Sequence, residues 1–94
     1  MSTVIKSDTR LRQNPQVVYR PLASEGGVLL HLDSAQYHGV NDTGLSIWEL
    51  LDGERTVAEV VAELSGRLDD PPKELQDDVV EFLTGLSARG LALE

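Results

Sequence analysis

The order of apolar and polar residues changes period partway along the chain. Between residues 17 and 40 the apolar residues come in short runs broken by turn residues: "VVYRPL" (17–22), "SEGG" (24–27), "VLLHL" (28–32), "DSAQ" (33–36) and "QYHGV" (36–40). The β-branched and aromatic runs read as strands, and Pro21 suits a strand end or an edge. Links this short join antiparallel neighbours, because a parallel pair needs a long crossover. The expectation is a three-stranded meander.

After Val40 the period becomes helical. Asn41 is placed to cap a helix over 42–51, with Asp42 in its favourable first turn. Leu45, Ile47, Trp48, Leu50 and Leu51 leave that helix few polar positions, which predicts burial, and Asp52-Gly53 ends it. Thr56 and Glu59 form a T-x-x-E capping box for a second helix. Val57, Val60, Val61, Leu64 and Leu68 share its inner face. A third helix is expected to start at Asp70-Pro71, with proline in the first helical position, and to close at Arg89-Gly90. Leu75, Val79, Phe82 and Leu86 form its inner stripe, and "LALE" adds a small terminal strand. Residues 1–15 show no periodicity and read as a flexible N-terminal tail before one domain over 16–94. Three strands followed by three helices is an α+β arrangement, with the helices on one face of a small antiparallel sheet. The last two helices with the sheet resemble a winged helix-turn-helix.

Composition narrows the function. The 94 residues suffice for a single domain with a thin core, so a deep enclosed active site is not expected. Sixteen acids against eight bases give a formal charge of −8. That charge and the lack of a Lys/Arg cluster argue against nucleic acid and point to peptide or protein partners. The absence of cysteine removes thiol catalysis, disulfides and thiolate metal sites, and it fits a cytoplasmic protein. No apolar run is long enough to span a membrane.

The candidate chemistry is sparse. His31, His38 and Asp33 are too few and too loosely spaced for a zinc site, and histidines on neighbouring strands more often pack or face solvent. Asp69/Asp70 and Asp77/Asp78 are paired acids, but adjacent acids near a helix start usually serve the helix terminus and solvation, whereas glycosidase-type chemistry needs two carboxylates across a cleft. Ser34, Thr43, Ser46 and Ser87 have no evident base. "DTG" (42–44) lies in a helix start rather than on an active-site loop. These readings exclude an enzyme and any cofactor from the expectation.

What exceeds the needs of folding is the third helix. Val80 and Leu83 widen its apolar arc to one side, alongside Gln76 and Ser87. A wide core face explains this equally well. The alternative is an apolar groove wall facing the strand 36–40 at the sheet edge. An exposed edge is a hazard unless it is used, and one use is to accept an extended peptide as an added strand.

"YHGVNDTGLSIWELLDGERTVAEVVAEL" with "DDVVEFLTGLSARGL" resembles the PqqD-like family, that of pyrroloquinoline-quinone biosynthesis protein D and the related recognition elements for ribosomally made, modified peptides. The resemblance spans about residues 17–93. It is nearest to the stand-alone recognition proteins of lasso-peptide pathways. It implies a three-strand, three-helix winged-helix fold that takes up the leader segment of a precursor peptide, antiparallel to the third predicted strand. It further implies presentation to a separate cysteine-type leader peptidase and an ATP-dependent cyclase. Carried over by position, Ala35, Gln36, Tyr37, His38 and Gly39 form the docking edge. Gln76, Val80 and Leu83 form the helix wall, and Asp77 and Glu81 face basic leader residues. Relatives often carry an aromatic residue where His38 stands, which bears on the size of the nearby pocket. Two rivals remain: a recognition protein of another modified-peptide pathway, such as quinone-cofactor synthesis, and a winged-helix transcription regulator. The latter needs a basic recognition helix. Residues 73–89 instead offer Lys73 and Arg89 against Glu74, Asp77, Asp78 and Glu81.

Overall fold

A computed structural model describes residues 5–22 and 25–94. The elements run β1 (Arg10–Gln13), β2 (Val17–Pro21), β3 (Gly27–His31), β4 (Gln36–Val40), α1 (Asp42–Glu49), β5 (Asp52–Thr56), α2 (Val57–Arg67), α3 (Leu75–Ala88) and β6 (Ala92–Leu93). The meander is present as an antiparallel sheet in the order β2-β3-β4. Part of the predicted 24–27 turn, Ser24, lies outside the described residues, as do residues 1–4 of the predicted tail.

A second three-stranded sheet, β5-β1-β6, accompanies it. The expectation of a flexible tail over 1–15 therefore does not hold from Ile5 onward. Ile5 and Leu11 are buried in the core, and β1 is the central strand of the second sheet. The segment also closes two helix ends. The Gln13 side-chain amide donates to the Trp48 carbonyl at 2.9 Å, and that of Asn14 donates to the Gly90 carbonyl at 2.7 Å. Trp48 lies in the last turn of α1 and Gly90 just past the C-cap of α3, so these bonds tie the N-terminal segment to two helix ends.

Helix starts follow local chemistry. The Asn41 side chain accepts from the Gly44 N–H at 2.7 Å and caps α1. Thr56 and Glu59 form the reciprocal capping box of α2. The third helix starts at Leu75 rather than at Pro71. The reason is Pro72: a proline disfavours helical geometry in the residue before it, so Pro71 cannot open a helix. The core gathers Leu29 from the first sheet, Leu11 and Ala92 from the second, Ile47 and Trp48 from α1, Val60 and Leu64 from α2, and Val79 and Leu83 from α3.

Candidate functional site: a strand edge facing a helix

β3 is the middle strand of its sheet, so β4 is an edge. Its cross-strand partners on β3 are Gly27 for Val40, Val28 for Gly39, Leu29 for His38, Leu30 for Tyr37 and His31 for Gln36. Alternate side chains take opposite faces. Leu29 is fully buried, which puts His38 and Val40 on the core side. Tyr37, 73% exposed, projects from the other face in one row with Leu30 and Val18. Ala35 precedes the strand in the β3–β4 turn at φ 59, a left-handed conformation that is unusual for a residue with a Cβ. A Cβ added at Gly39 would meet nothing within 4 Å, so folding does not require glycine there. A glycine in a strand with open space above it suits close approach by another backbone.

The far end of β4 is locked in place. Gly26 has φ +67, and a Cβ there would lie 2.2 Å from the Val40 carbonyl oxygen. The Gly26 N–H donates to the Asp42 carboxylate. The start of β3, the end of β4 and the start of α1 therefore form one tight corner.

Between β4 and α3 lies a cleft of about 610 Å³. Tyr37, His38, Gly39 and Val40 line it from the strand. Asp78, Glu81, Phe82, Gly85, Leu86 and Arg89 line it from the helix and its cap. A second hollow of about 490 Å³ continues past the end of β4, between Asn41 and Thr43 on one side and Pro72 and Leu75 on the other. Phe82 borders both. Its ring is held from behind by α1: a Cβ added at Gly44 would come within 3.1 Å of it.

The structure rearranges the helix wall read from the sequence. Leu83 is 0% exposed and belongs to the core, while Phe82, assigned to the inner stripe, is half-buried and borders the cleft. At about 100° per residue, Asp78, Phe82, Gly85 and Arg89 form one stripe of α3. The core residues Leu75, Val79 and Leu83 form the next, and Gln76, Val80 and Ser87 lie beyond it. The flank of α3 read as the groove wall is therefore not the one that borders this cleft: neither Gln76 nor Val80 lines it. Of the two acids expected to meet leader residues, Glu81 lines the cleft and Asp77 does not, whereas the adjacent Asp78 does. Of the docking edge, Tyr37, His38 and Gly39 line the cleft, while Gln36 stands at the near end of β4 and Ala35 in the turn. Periodicity defines the width of an apolar stripe. It does not say which flank a separate strand will approach, so the sequence does not show that Phe82, Gly85 and Arg89 line the cleft.

Among the described residues, no three potential metal ligands gather at one place, and no helix is long and apolar enough to cross a membrane. Two carboxylates are shifted, both away from the cleft. Backbone N–H groups of Arg55 and Glu54 hold Asp52 below the usual carboxylate range. The Thr56 N–H and hydroxyl do the same for Glu59.

An edge strand facing an amphipathic helix across an open cleft is the geometry that strand addition of an extended peptide uses. The chain belongs to the PqqD family: the family profile, described as Coenzyme PQQ synthesis protein D (PqqD), matches residues 26–92. A PqqA binding protein of Pseudomonas fluorescens (strain SBW25) is 38% identical over 72 residues, covering 77% of this chain and 75% of that protein. Among solved structures, a lasso peptide synthetase B1 complexed with the leader peptide aligns with a TM-score of 0.74 and 26% identity, covering 92% of this chain and all of that one. The PqqD portion of Methylobacterium extorquens PqqCD, described as a functional and stand-alone recognition element for ribosomally synthesised, modified peptides, aligns with a TM-score of 0.81. It covers 99% of this chain and 98% of that one, and at 21% identity it bears on the fold.

Proposed function

We propose that this protein is a non-catalytic adaptor that binds the leader of a ribosomally made precursor peptide as an added strand on β4, between β4 and α3. The observation that carries this reading is the cleft of about 610 Å³ between a free sheet edge and α3, lined by Tyr37, His38 and Gly39 on one side and Phe82 on the other. The edge offers unpaired backbone donors and acceptors, and the cleft receives alternate side chains of the added strand. The similarity to a B1 protein solved with a leader supports a lasso-type precursor. In that setting the adaptor presents the leader in the cytoplasm to a cysteine-type leader peptidase and then to an ATP-dependent cyclase.

The identity to a PqqA binding protein favours a second reading, in which the precursor is of the PqqA type and the partner is a different modifying enzyme. A DNA-binding role is disfavoured by α3, whose groove side carries Asp78 and Glu81 with Arg89 as its cation.

The test is a fluorescence anisotropy titration of the folded protein with labelled leaders of both precursor types, repeated with Tyr37→Pro and His38→Pro. Proline removes a ladder donor, and alternate residues face opposite edges, so one of the two substitutions removes an outward N–H. The expected result is binding of one leader class that is lost in one proline variant retaining helical circular dichroism. Binding of neither class, or equal binding by both proline variants, overturns the proposal.

A further inference from the structure

The charges along the cleft are ordered. Asp78 and Glu81 stand toward the start of α3, and Arg89 stands at its C-cap. All three are exposed, and among the described residues none is in an ion pair. Arg89 donates only to the Gly85 carbonyl at 3.3 Å, one turn back on its own helix. The helix dipole favours an acid in the first turn and a cation at the end, which accounts for Asp78 and Arg89. It gives nothing to Glu81, in the second turn.

The direction of α3 relative to β4 follows from its two ends. Near its start, Leu75 shares a hollow with Asn41, just past the end of β4. Near its finish, a Cβ on Gly90 would lie 3.8 Å from Nε2 of His31, the cross-strand partner of Gln36 at the start of β4. The helix therefore runs against β4, and a strand added antiparallel to β4 runs with the helix. Its earlier residues meet Asp78 and Glu81, and its later residues meet Arg89. From the level of Glu81 to that of Arg89 the helix rises about 12 Å. An extended chain covers that distance in about four residues, at about 3.3 Å each. Only alternate residues face the helix, so the spacing must be even.

We propose, building on the strand-addition reading, that the cleft selects a peptide carrying Lys or Arg followed four residues later by Asp or Glu, and that this order fixes both direction and register. Two exposed ion pairs add little affinity, but reversing both replaces two attractions with two repulsions, a difference of about tenfold in binding.

The experiment is a phage-displayed library of random 14-residue peptides, selected against the intact protein. It is counter-selected against Tyr37→Pro and His38→Pro and read by sequencing. Peptides lost in a proline variant are expected to carry the cation–x–x–x–acid order about tenfold more often than its reverse. Selection against Arg89→Glu is expected to exchange the acid of that pattern for a cation. Strand-dependent peptides with no charge order, or with the reverse order, overturn this inference and leave strand addition standing. If no enriched peptide is sensitive to either proline, strand addition fails, and the charge order fails with it.

Discussion

Phe82 borders both hollows and is backed by Gly44, so its ring is the cleft's main apolar surface on the helix. Phe82→Ala is expected to weaken leader binding by about 2 kcal/mol, as buried aromatic anchors do. Val80→Ala on the far flank should lower stability alone. Paired titration and urea unfolding of the two variants check this, and equal binding losses would contradict the assignment. Glycine positions make a second contrast. At Gly26 the left-handed φ and the Val40 carbonyl leave no room for a methyl, so Gly26→Ala is expected to cost about 2–4 kcal/mol in urea unfolding. At Gly66, inside α2, a Cβ meets nothing within 4 Å, and Gly66→Ala should stabilise by about 0.5–1 kcal/mol. Both glycines sit in plain view in the sequence. Their opposite roles were not legible, because the Val40 carbonyl that crowds Gly26 comes from another strand.

The elements with their own local chemistry were legible. Asn41 and the Thr56–Glu59 box mark helix starts in the sequence, and the structure places both caps there. β1 and β5 were not. "RLRQ" buries only Leu11, and "DGERT" has no apolar residue, so neither carries an alternating pattern to read. They exist through pairing with each other and through Asp52, whose carboxylate accepts from the Glu54 and Arg55 N–H groups at 3.0 and 2.9 Å. The α2 cap gives a prediction with a sign. Thr56→Ala should cost about 1 kcal/mol at neutral pH. Glu59 has a lowered pKa in the folded state, so its contribution is present above the unfolded value of 4.5 and fades as pH falls through the lower folded value. The gap between parent and Thr56→Ala should therefore narrow below about pH 4 in acid-range unfolding curves. A constant gap would show that the Glu59 half of the box contributes nothing.

At the scale of the molecule, the two sheets share one core. The radius of gyration of 12.8 Å is close to the roughly 12 Å expected for a compact chain of this length. Leu11, central in the second sheet, is 2% exposed, and Leu11→Ala is expected to cost about 2–5 kcal/mol. Trp48 fluorescence and far-ultraviolet circular dichroism should then lose their signals at one shared midpoint. Separate midpoints would mean that the N-terminal strand is an appendage. The general architecture and the position of 36–40 at a sheet edge were legible because period, caps and family motifs agreed. The helix wall was legible only in part, since the flank of α3 that faces β4 is set by long-range packing. The central claim is that the free edge of β4 receives the leader's backbone. Amide hydrogen exchange across β4, measured with and without a bound leader, tests it most directly. In the free protein, alternate amides from Gln36 to Val40 should exchange fast, and with leader bound those same amides should become protected. A leader that binds while the exchange of every β4 amide stays unchanged would contradict the account.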